Sequence, residues 1–519
     1  MLVSALVYSL LWVVRGGGNI KDQFYWLTKY ELLESGWLAC GTIAIGHAWM
    51  ALFGHTIFAM RVLGWLCTTL AVALPYCCLL SRRQRSRNLH WLGLTYWLVA
   101  YGSFQEFSPG TISVLLLSIL CVVLLKSPIS NFKSQISIGL LLALLVLVRF
   151  PNVLVLPILA VWCYYLYRRD KEQLPILVRQ ALITLLVAAV AYGLGLVAWY
   201  YGMHHDVTAP AARHTMELML QKMGENGYRL VADLALWLAF AYGLSIAGRP
   251  IHTAWKWFAA VATGGLMLYY VIYAYPASQW YSIDQVYLIS SLVLFVALVL
   301  YRQRERHDLP MPVMGCALAL MSVATLGTDT GFLKLFPALL CLLPWWAAYI
   351  QWPCRQRYVL TAMVVLTALF VVRFSTNAIG RHNIYEENTW GQVPVMHLTQ
   401  ISEQDNAQMV KLCNDYAVYS RKSKVYAVGD AMHMFRAITH CEPPVHNEFW
   451  SNIFDPVYTR WYSELVAREH PVIFCFYSPS FHTKPQYRDR ESMLEHMLLD
   501  SGYVAVDRSD YKYMIYVKE

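Results

Sequence analysis

The feature that most constrains this chain is a series of apolar runs that recurs from the N-terminus to about residue 374. The runs are about 15–22 residues long, close to the roughly 20 residues that an α-helix needs to cross a bilayer. Of the 519 residues, 58% are hydrophobic and 14% are charged, against about 45–50% and about 25% in soluble globular proteins. A soluble fold has too little interior for this much apolar surface, so the sequence predicts a polytopic membrane protein.

Hydropathy predicts a mainly α-helical membrane bundle over residues 1–374, with about thirteen transmembrane helices. The predicted ranges are 2–14, 57–80, 90–105, 110–125, 135–149, 152–167, 181–200, 230–247, 257–275, 283–301, 312–327, 333–350 and 358–374. Residues 1–14 are interpreted as a first membrane helix because they have neither a basic start nor a small-residue cleavage site.

The distribution of lysine and arginine predicts the orientation. Basic residues cluster in every second predicted loop, as in Arg82, Arg83, Arg85 and Arg87, whereas the loops at 106–109, 276–282 and 328–332 contain neither residue type. This is the positive-inside pattern of membrane proteins. It accounts for the net charge of +9 and excludes nucleic acid as a partner. We expect a bacterial inner-membrane protein, surrounded by membrane lipids.

Two regions are predicted to face the outer, periplasmic side. The first is residues 15–56, a long first outer loop with amphipathic helices at the membrane interface. Residues 36–54 are apolar enough for another crossing, but that crossing would invert the later loops and place the Arg82–Arg87 cluster outside. The second is residues 375–519, which an odd number of crossings leaves outside.

Residues 375–519 are predicted to form a soluble α/β domain around a mostly parallel sheet, because strand and helix patterns alternate there. The predicted helices are 404–419, 430–438, 455–468 and 491–501, and the predicted strands are 424–428, 471–476, 503–507 and 511–517. Cys413, Cys441 and Cys475 lie in this region, and an oxidising compartment permits one disulfide among them. The sequence does not choose the pair.

Ionisable residues collect on the predicted outer face. Asp22 opens the first loop, Glu106 lies in a short turn, and Asp329 and Lys334 share another turn, while Arg61 and Arg149 lie near the outer ends of helices. Paired carboxylates facing a cavity suit general-base catalysis or a divalent metal ion. Two arginines at one cavity suit a phosphate. Helix capping or solvent exposure of each acid, and snorkelling of each arginine, remain open as alternatives.

Residues 22–63 resemble the first outer loop and second helix of the GT-C membrane glycosyltransferases, in their protein O-mannosyltransferase and aminoarabinose transferase branch. Asp22 opens the loop, a Leu33-Glu34-Ser35-Gly36 step follows, and Leu52-Phe53-Gly54 leads to Arg61. Glu106 stands where this family usually has an aspartate after the third helix. An acidic pair at the first position is missing, because Lys21 and Gln23 flank Asp22.

The resemblance implies an inverting transfer of a sugar from a polyprenyl-phosphate-linked donor to a glycan, lipid or protein acceptor. Asp22 and Glu106 would be catalytic, and Arg61, Arg149, Asp329 and Lys334 would bind substrate. A divalent metal ion is the only cofactor expected, with its ligands unknown. Two other classes stay open: a transporter or flippase of lipid-linked saccharides, and a non-catalytic membrane scaffold. A transporter is typically built from internal repeats, and none is visible here.

Overall fold

The computed structural model describes residues 2–15, 20–33, 38–101, 107–126, 132–169, 174–202, 341–348, 388–429, 431–442, 456–476, 495–509 and 513–519, with single positions in 213–224 and 316–340. The chain divides into two compact units. Unit 1 comprises residues 1–10, 64–197 and 220–374, and unit 2 comprises residues 11–63, 198–219 and 375–519.

The described N-terminal half is helical. The helices are α1 (Leu2–Arg15), α2 (Ile20–Leu32), α3 (Cys40–Phe53), α4 (Ile57–Leu79), α5 (Arg82–Tyr101), α6 (Pro109–Lys126), α7 (Phe132–Val148), α8 (Val155–Arg169), α9 (Leu174–Gly202) and the short α10 (Leu343–Ala347). A 3-10 helix, Phe150–Leu154, joins α7 to α8. Among the described residues, Ile57–Leu79, Pro109–Lys126 and Pro175–Gly202 are long and apolar enough to cross a membrane.

Small residues and hydroxyls hold the helices of unit 1 together. A Cβ added at Gly139 of α7 would lie 2.8 Å from the Thr184 carbonyl oxygen of α9, so glycine lets the two backbones approach. The Ser118 hydroxyl of α6 donates to the Ala71 carbonyl oxygen of α4 at 2.7 Å. Such contacts matter in a membrane, where lipid is as apolar as the protein and hydrophobic burial does not drive helix association.

The start of α5 differs from the prediction. The helix begins at Arg82, eight residues before the predicted start at 90, so Arg82 to Arg87 are helical and not in a loop. The Ser81 hydroxyl accepts from the Gln84 amide at 3.3 Å, and the Gln84 side chain accepts from the Ser81 amide at 3.0 Å. This reciprocal pair is a capping box, and its Ser-x-x-Gln pattern is readable from the sequence.

The described residues of 388–519 form two sheets. Strands β1 (Asn388–Trp390) and β2 (Gln400–Ser402) pair antiparallel. The larger sheet has the order β3–β4–β6–β5, with β3 (Val425–Gly429), β4 (Val472–Phe476), β5 (Tyr503–Ser509) and β6 (Tyr513–Lys518). Its helices are α11 (Glu403–Tyr419), α12 (Met432–Thr439) and α13 (Pro456–Glu469), and residues 495–500 are also helical.

The prediction of a mostly parallel sheet was wrong. Only β3 and β4 pair parallel, whereas β6 pairs antiparallel with both β4 and β5. Three residues separate β5 from β6, too few for a parallel crossover, which takes about a dozen or more. The sheet packs its apolar face in a core around Phe435, Phe474 and Phe476, with the rings of Phe435 and Phe474 4.7 Å apart.

The other predicted elements of this region are confirmed within a few residues, except that the start of the predicted helix 491–501 lies outside the described residues. The predicted helices at 404–419, 430–438 and 455–468 correspond to α11, α12 and α13. Residues 230–301 and 358–374, which hold four predicted membrane helices, lie outside the described residues, and those at 312–327 and 333–350 are described in part. Cys413, Cys441 and Cys475 are free thiols.

Candidate functional site

Helix α2, in the first predicted outer loop, is the element on which the candidate site is built. Phe24, Leu27 and Tyr30 are at most 1% exposed, although the helix is only weakly apolar in sequence. The Tyr30 ring packs against Gly46 of α3, where an added Cβ would lie 2.6 Å from the ring. His47 of α3 is 2.8 Å from the Tyr30 carbonyl oxygen. Helix α2 is therefore packed on α3 as part of unit 2.

Arg61 is the predicted site residue with the clearest surroundings. Its side chain is 1% exposed, and its Nε and Nη2 atoms donate to the Gln23 side-chain oxygen at 3.2 and 3.0 Å. Its Nη1 atom donates to the Val13 carbonyl oxygen at 3.3 Å. The fork of the guanidinium thus binds the residue that directly follows Asp22.

Asp22 lies in the first turn of α2; its side chain is outside the described part of the structure. Position 22 shares a helical face with positions 25 and 29, because residues three, four and seven apart lie on one side of an α-helix. Of the predicted site residues, the structure therefore brings Arg61 to the helix that carries Asp22.

Arg149 belongs to unit 1 and is held in another way. It follows α7 with an extended backbone, and its side chain is 6% exposed. Its Nη1 atom donates to the Ala324 carbonyl oxygen at 2.6 Å and to that of Val323 at 3.4 Å. These carbonyls lie in the 3-10 helix Val323–Thr325, where peptide oxygens at a helix end need donors.

The other predicted site residues, Glu106, Asp329 and Lys334, lie outside the described residues. Their assignment as catalytic or substrate-binding stays a prediction. The same holds for a shared cavity of Arg61 and Arg149, which fall in different units.

The sequence reasoning missed a contact between α2 and α12, both in unit 2. The Thr28 hydroxyl donates to the His433 carbonyl oxygen at 3.2 Å. The Tyr25 ring meets the His433 ring edge-on, with centroids 4.9 Å apart. The Glu31 carboxylate is 2.7 Å from Nδ1 of His440, just after α12. No local sequence signal joins residues about 405 positions apart.

Two buried cations accompany this contact. Lys29 is 4% exposed and lies over the Tyr25 ring, 5.6 Å from its centroid, and Arg436 is 2% exposed. Burial, and then the charges of Arg436 and Lys29, hold the pKa of His433 well below its ordinary value, so this imidazole is neutral at pH 7. His433 and Arg436 are three residues apart on one side of α12.

A divalent metal ion needs a set of oxygen, nitrogen or sulfur ligands. Within the part of the chain that the structure describes, no three His, Cys, Asp or Glu side chains come together as such a set. The described residues alone therefore do not form a metal site, and the divalent metal ion, whose ligands the sequence left unknown, stays a hypothesis.

Comparisons with known proteins show a likeness to solved structures. No protein-family model and no curated protein matches the chain. Among solved structures, the chain is similar to ArnT from Cupriavidus metallidurans in the apo state, with 11% identity and a TM-score of 0.43, over 99% of this chain and 96% of that one. It is also similar to that protein bound to undecaprenyl phosphate, with 10% identity and a TM-score of 0.41, over 99% and 97%. A likeness of this size carries no argument about activity.

Proposed function

We propose that this chain is a membrane glycosyltransferase that moves a sugar from a polyprenyl-phosphate-linked donor to an acceptor on the outer face of the membrane. The observation that carries the proposal is the bond between Arg61 and Gln23. It joins the predicted phosphate-binding arginine, buried to 1% exposure, to the helix of the predicted catalytic acid.

The chemistry needs a base and a cation at one place. In an inverting transfer, the acceptor hydroxyl loses its proton to a base and its oxygen attacks the anomeric carbon, while the carrier phosphate leaves with the electrons of the broken C–O bond. Asp22 is proposed as the base, supported by Glu106, and Arg61 as a donor of hydrogen bonds to the leaving phosphate. Asp329 and Lys334 are proposed as further substrate-binding residues. Arg149, predicted with them, donates to backbone oxygens in unit 1, and we propose that it stabilises that unit.

The contact between α2 and α12 supports the proposed topology. Thr28 and His433 are directly hydrogen bonded, which supports a topology with residues 20–33 and the region that contains α12 on one side of the membrane. The charge bias places the first loop outside, and the contact then favours an odd number of crossings, such as the proposed thirteen. The proposed architecture is a helical membrane bundle with a soluble α/β domain in the periplasm of a bacterial cell.

The test compares Asp22→Asn with the wild type at equal folded amount, in lipid, with a mixture of radiolabelled polyprenyl-phosphate sugars as donors. Asp500→Asn is the matched control, because Asp500 is an exposed acid of the same unit. We expect Asp22→Asn to lower transfer at least about 100-fold, as loss of a general base does, and Asp500→Asn to leave it unchanged. Full transfer by Asp22→Asn would reject Asp22 as the base. No transfer by wild type with any donor would favour a transporter or a scaffold.

A further inference from the structure

The contact between α2 and α12 holds three nitrogen-bearing side chains that the proposed transfer does not use. Lys29, His433 and Arg436 are each at most 4% exposed. Lys29 and His433 both contact the ring of Tyr25. The Lys29 Nζ atom is 5.6 Å from the ring centroid, and the His433 ring centroid is 4.9 Å from it. Arg436 lies three residues after His433 on α12, about one helical turn away on the same side. The three side chains form one cluster, which we call the α2–α12 basic cluster.

His433 has hydrogen-bonding capacity that the protein does not fill. Within the described residues, neither Nδ1 nor Nε2 has a hydrogen-bond partner, although the side chain is only 3% exposed. A buried polar atom without a partner costs about 1–3 kcal/mol. Protein interiors seldom leave both nitrogens of a buried imidazole without a hydrogen bond. Such an imidazole therefore indicates a ligand that binds there.

The position of the cluster in the fold favours an anion. Strands β3 and β4 are parallel and end together, with Gly429 opposite Phe476. Helix α12 begins at Met432, three residues after Gly429, whose φ of +107° and close approach to the Phe476 carbonyl oxygen leave no room for a Cβ. His433 therefore lies in the first turn of α12, where amide groups point outward and the helix dipole is positive. Ligands of α/β sheets bind at this carboxyl edge of parallel strands.

We propose that Lys29, His433 and Arg436 form a binding site for a phosphate group, carried either by a lipid headgroup or by a soluble phosphate. Two cations match the charge of a phosphate, between about −1 and −2 near neutral pH, and the neutral imidazole adds one N–H donor. The site is built from residues other than Asp22 and Arg61, although position 22 shares a helical face with Lys29, and phosphate binding to it is measured without sugar donor or acceptor. Failure of one assignment therefore leaves the other intact.

The experiment measures the dissociation constant of inorganic phosphate for the full-length chain in phosphatidylcholine nanodiscs, from the rise in its thermal unfolding midpoint. The variants are Lys29→Gln, Arg436→Gln and His433→Phe, and the control is Lys422→Gln at an exposed lysine of the same unit. A second set of nanodiscs contains phosphatidic acid, whose headgroup is a phosphate monoester.

We expect phosphate to raise the midpoint of wild type and Lys422→Gln, and Lys29→Gln and Arg436→Gln to weaken its binding at least about tenfold. His433→Phe keeps a ring against Tyr25 and removes both unpaired nitrogens. It should unfold at the same or a higher temperature without phosphate and bind phosphate more weakly, a combination that a purely structural histidine does not give.

The lipid arm separates the two sources. If phosphatidic acid raises the midpoint of wild type and blocks inorganic phosphate, the site takes a headgroup; if only inorganic phosphate acts, it takes a soluble phosphate. Absence of any effect of both probes on wild type would overturn the site, and so would an equal effect on wild type and all three variants.

Discussion

Arg61 and Arg149 are both buried, yet their hydrogen-bond acceptors differ in kind. Arg61 gives two of its three described hydrogen bonds to a side-chain amide, that of Gln23, and one to the Val13 carbonyl oxygen. Arg149 donates to two backbone carbonyl oxygens at the 3-10 helix Val323–Thr325. The charge of each guanidinium is thus met by neutral oxygens at these contacts.

The difference matters for the assignment of function. Backbone carbonyls cannot leave an arginine without a change of the main chain, whereas a glutamine side chain can rotate away when a better acceptor arrives. A phosphate is such an acceptor, because it forms charge-assisted bonds about twice as strong as those to a neutral amide. The comparison favours Arg61 as the arginine that meets a ligand and Arg149 as one that stabilises unit 1.

Replacement of Arg149 by methionine should have the largest effect on stability. The substitution removes the donor from the Val323 and Ala324 carbonyl oxygens, and buried acceptors without partners cost about 1–3 kcal/mol each. We expect a loss of about 2–5 kcal/mol in the free energy of unfolding, measured by thermal unfolding in lipid. Arg179→Met, at an exposed arginine of α9, is the control. A stable Arg149→Met protein without transfer activity would instead make Arg149 a ligand residue.

Replacement of Arg61 by lysine should act mainly on transfer. Lysine keeps the positive charge but lacks the planar fork that reaches both Gln23 and Val13. We expect kcat/KM for the lipid-linked donor to fall about 10- to 100-fold, with a smaller loss of stability than in Arg149→Met. Steady-state kinetics with unfolding in the same lipid measures both quantities. A variant that loses stability but keeps kcat/KM would make Arg61 purely structural.

The substitution Gln23→Glu tests the hydrogen bond between Gln23 and Arg61 directly. A carboxylate at position 23 would hold the Arg61 guanidinium by charge-assisted bonds, so the protein should become more stable by up to about 1 kcal/mol. The same bond competes with the donor phosphate. We therefore expect the KM for the donor to rise about three- to tenfold, with little change in kcat. An unchanged KM would mean that Arg61 does not meet the phosphate.

The smallest effect is expected at the Glu31–His440 ion pair of unit 2, where the side chains are 24% and 61% exposed. The hydrogen bond to Glu31 raises the pKa of His440 above its ordinary value, against the opposing effect of burial. The pair therefore stabilises the folded protein fully at a pH below the pKa of His440 in the unfolded chain, about 6.5. This contribution is lost as the pH rises through the pKa of His440 in the folded protein.

Solvent screening limits the contribution of the pair to about 0.5 kcal/mol or less. We expect the unfolding midpoint of the wild type to exceed that of Glu31→Gln by about 1–2 °C at pH 5.5, and by less at pH 8. The matched control is Glu495→Gln, a partly exposed acid elsewhere in unit 2. A difference that grows with pH would contradict the assigned role of His440.

The sequence predicts local features well because their causes are local. Hydropathy locates α4, α6 and α9, and the strand and helix patterns of residues 403–476 recover α11, β3, α12, α13 and β4. The burial of Lys29 and Arg436 and the unpaired ring of His433 were not predictable, because they arise only when α12 packs on α2. The three-residue connection between β5 and β6 does predict an antiparallel hairpin, because a parallel crossover needs more residues. The alternation of helices and strands earlier in the domain led instead to the prediction of a mostly parallel sheet.

The pairing of α2 with α12 also sets an order of events during synthesis. Thr28 leaves the ribosome about 405 residues before the backbone oxygen that accepts its hydrogen bond, and at about 5–20 residues per second this is a delay of roughly 20–80 s. Throughout that interval Tyr25 and its neighbours on α2 lack the surface that covers them in the finished protein. A ribosome that stalls before α12 leaves a chain in which one side of α2 is uncovered, a target for chaperones and proteases.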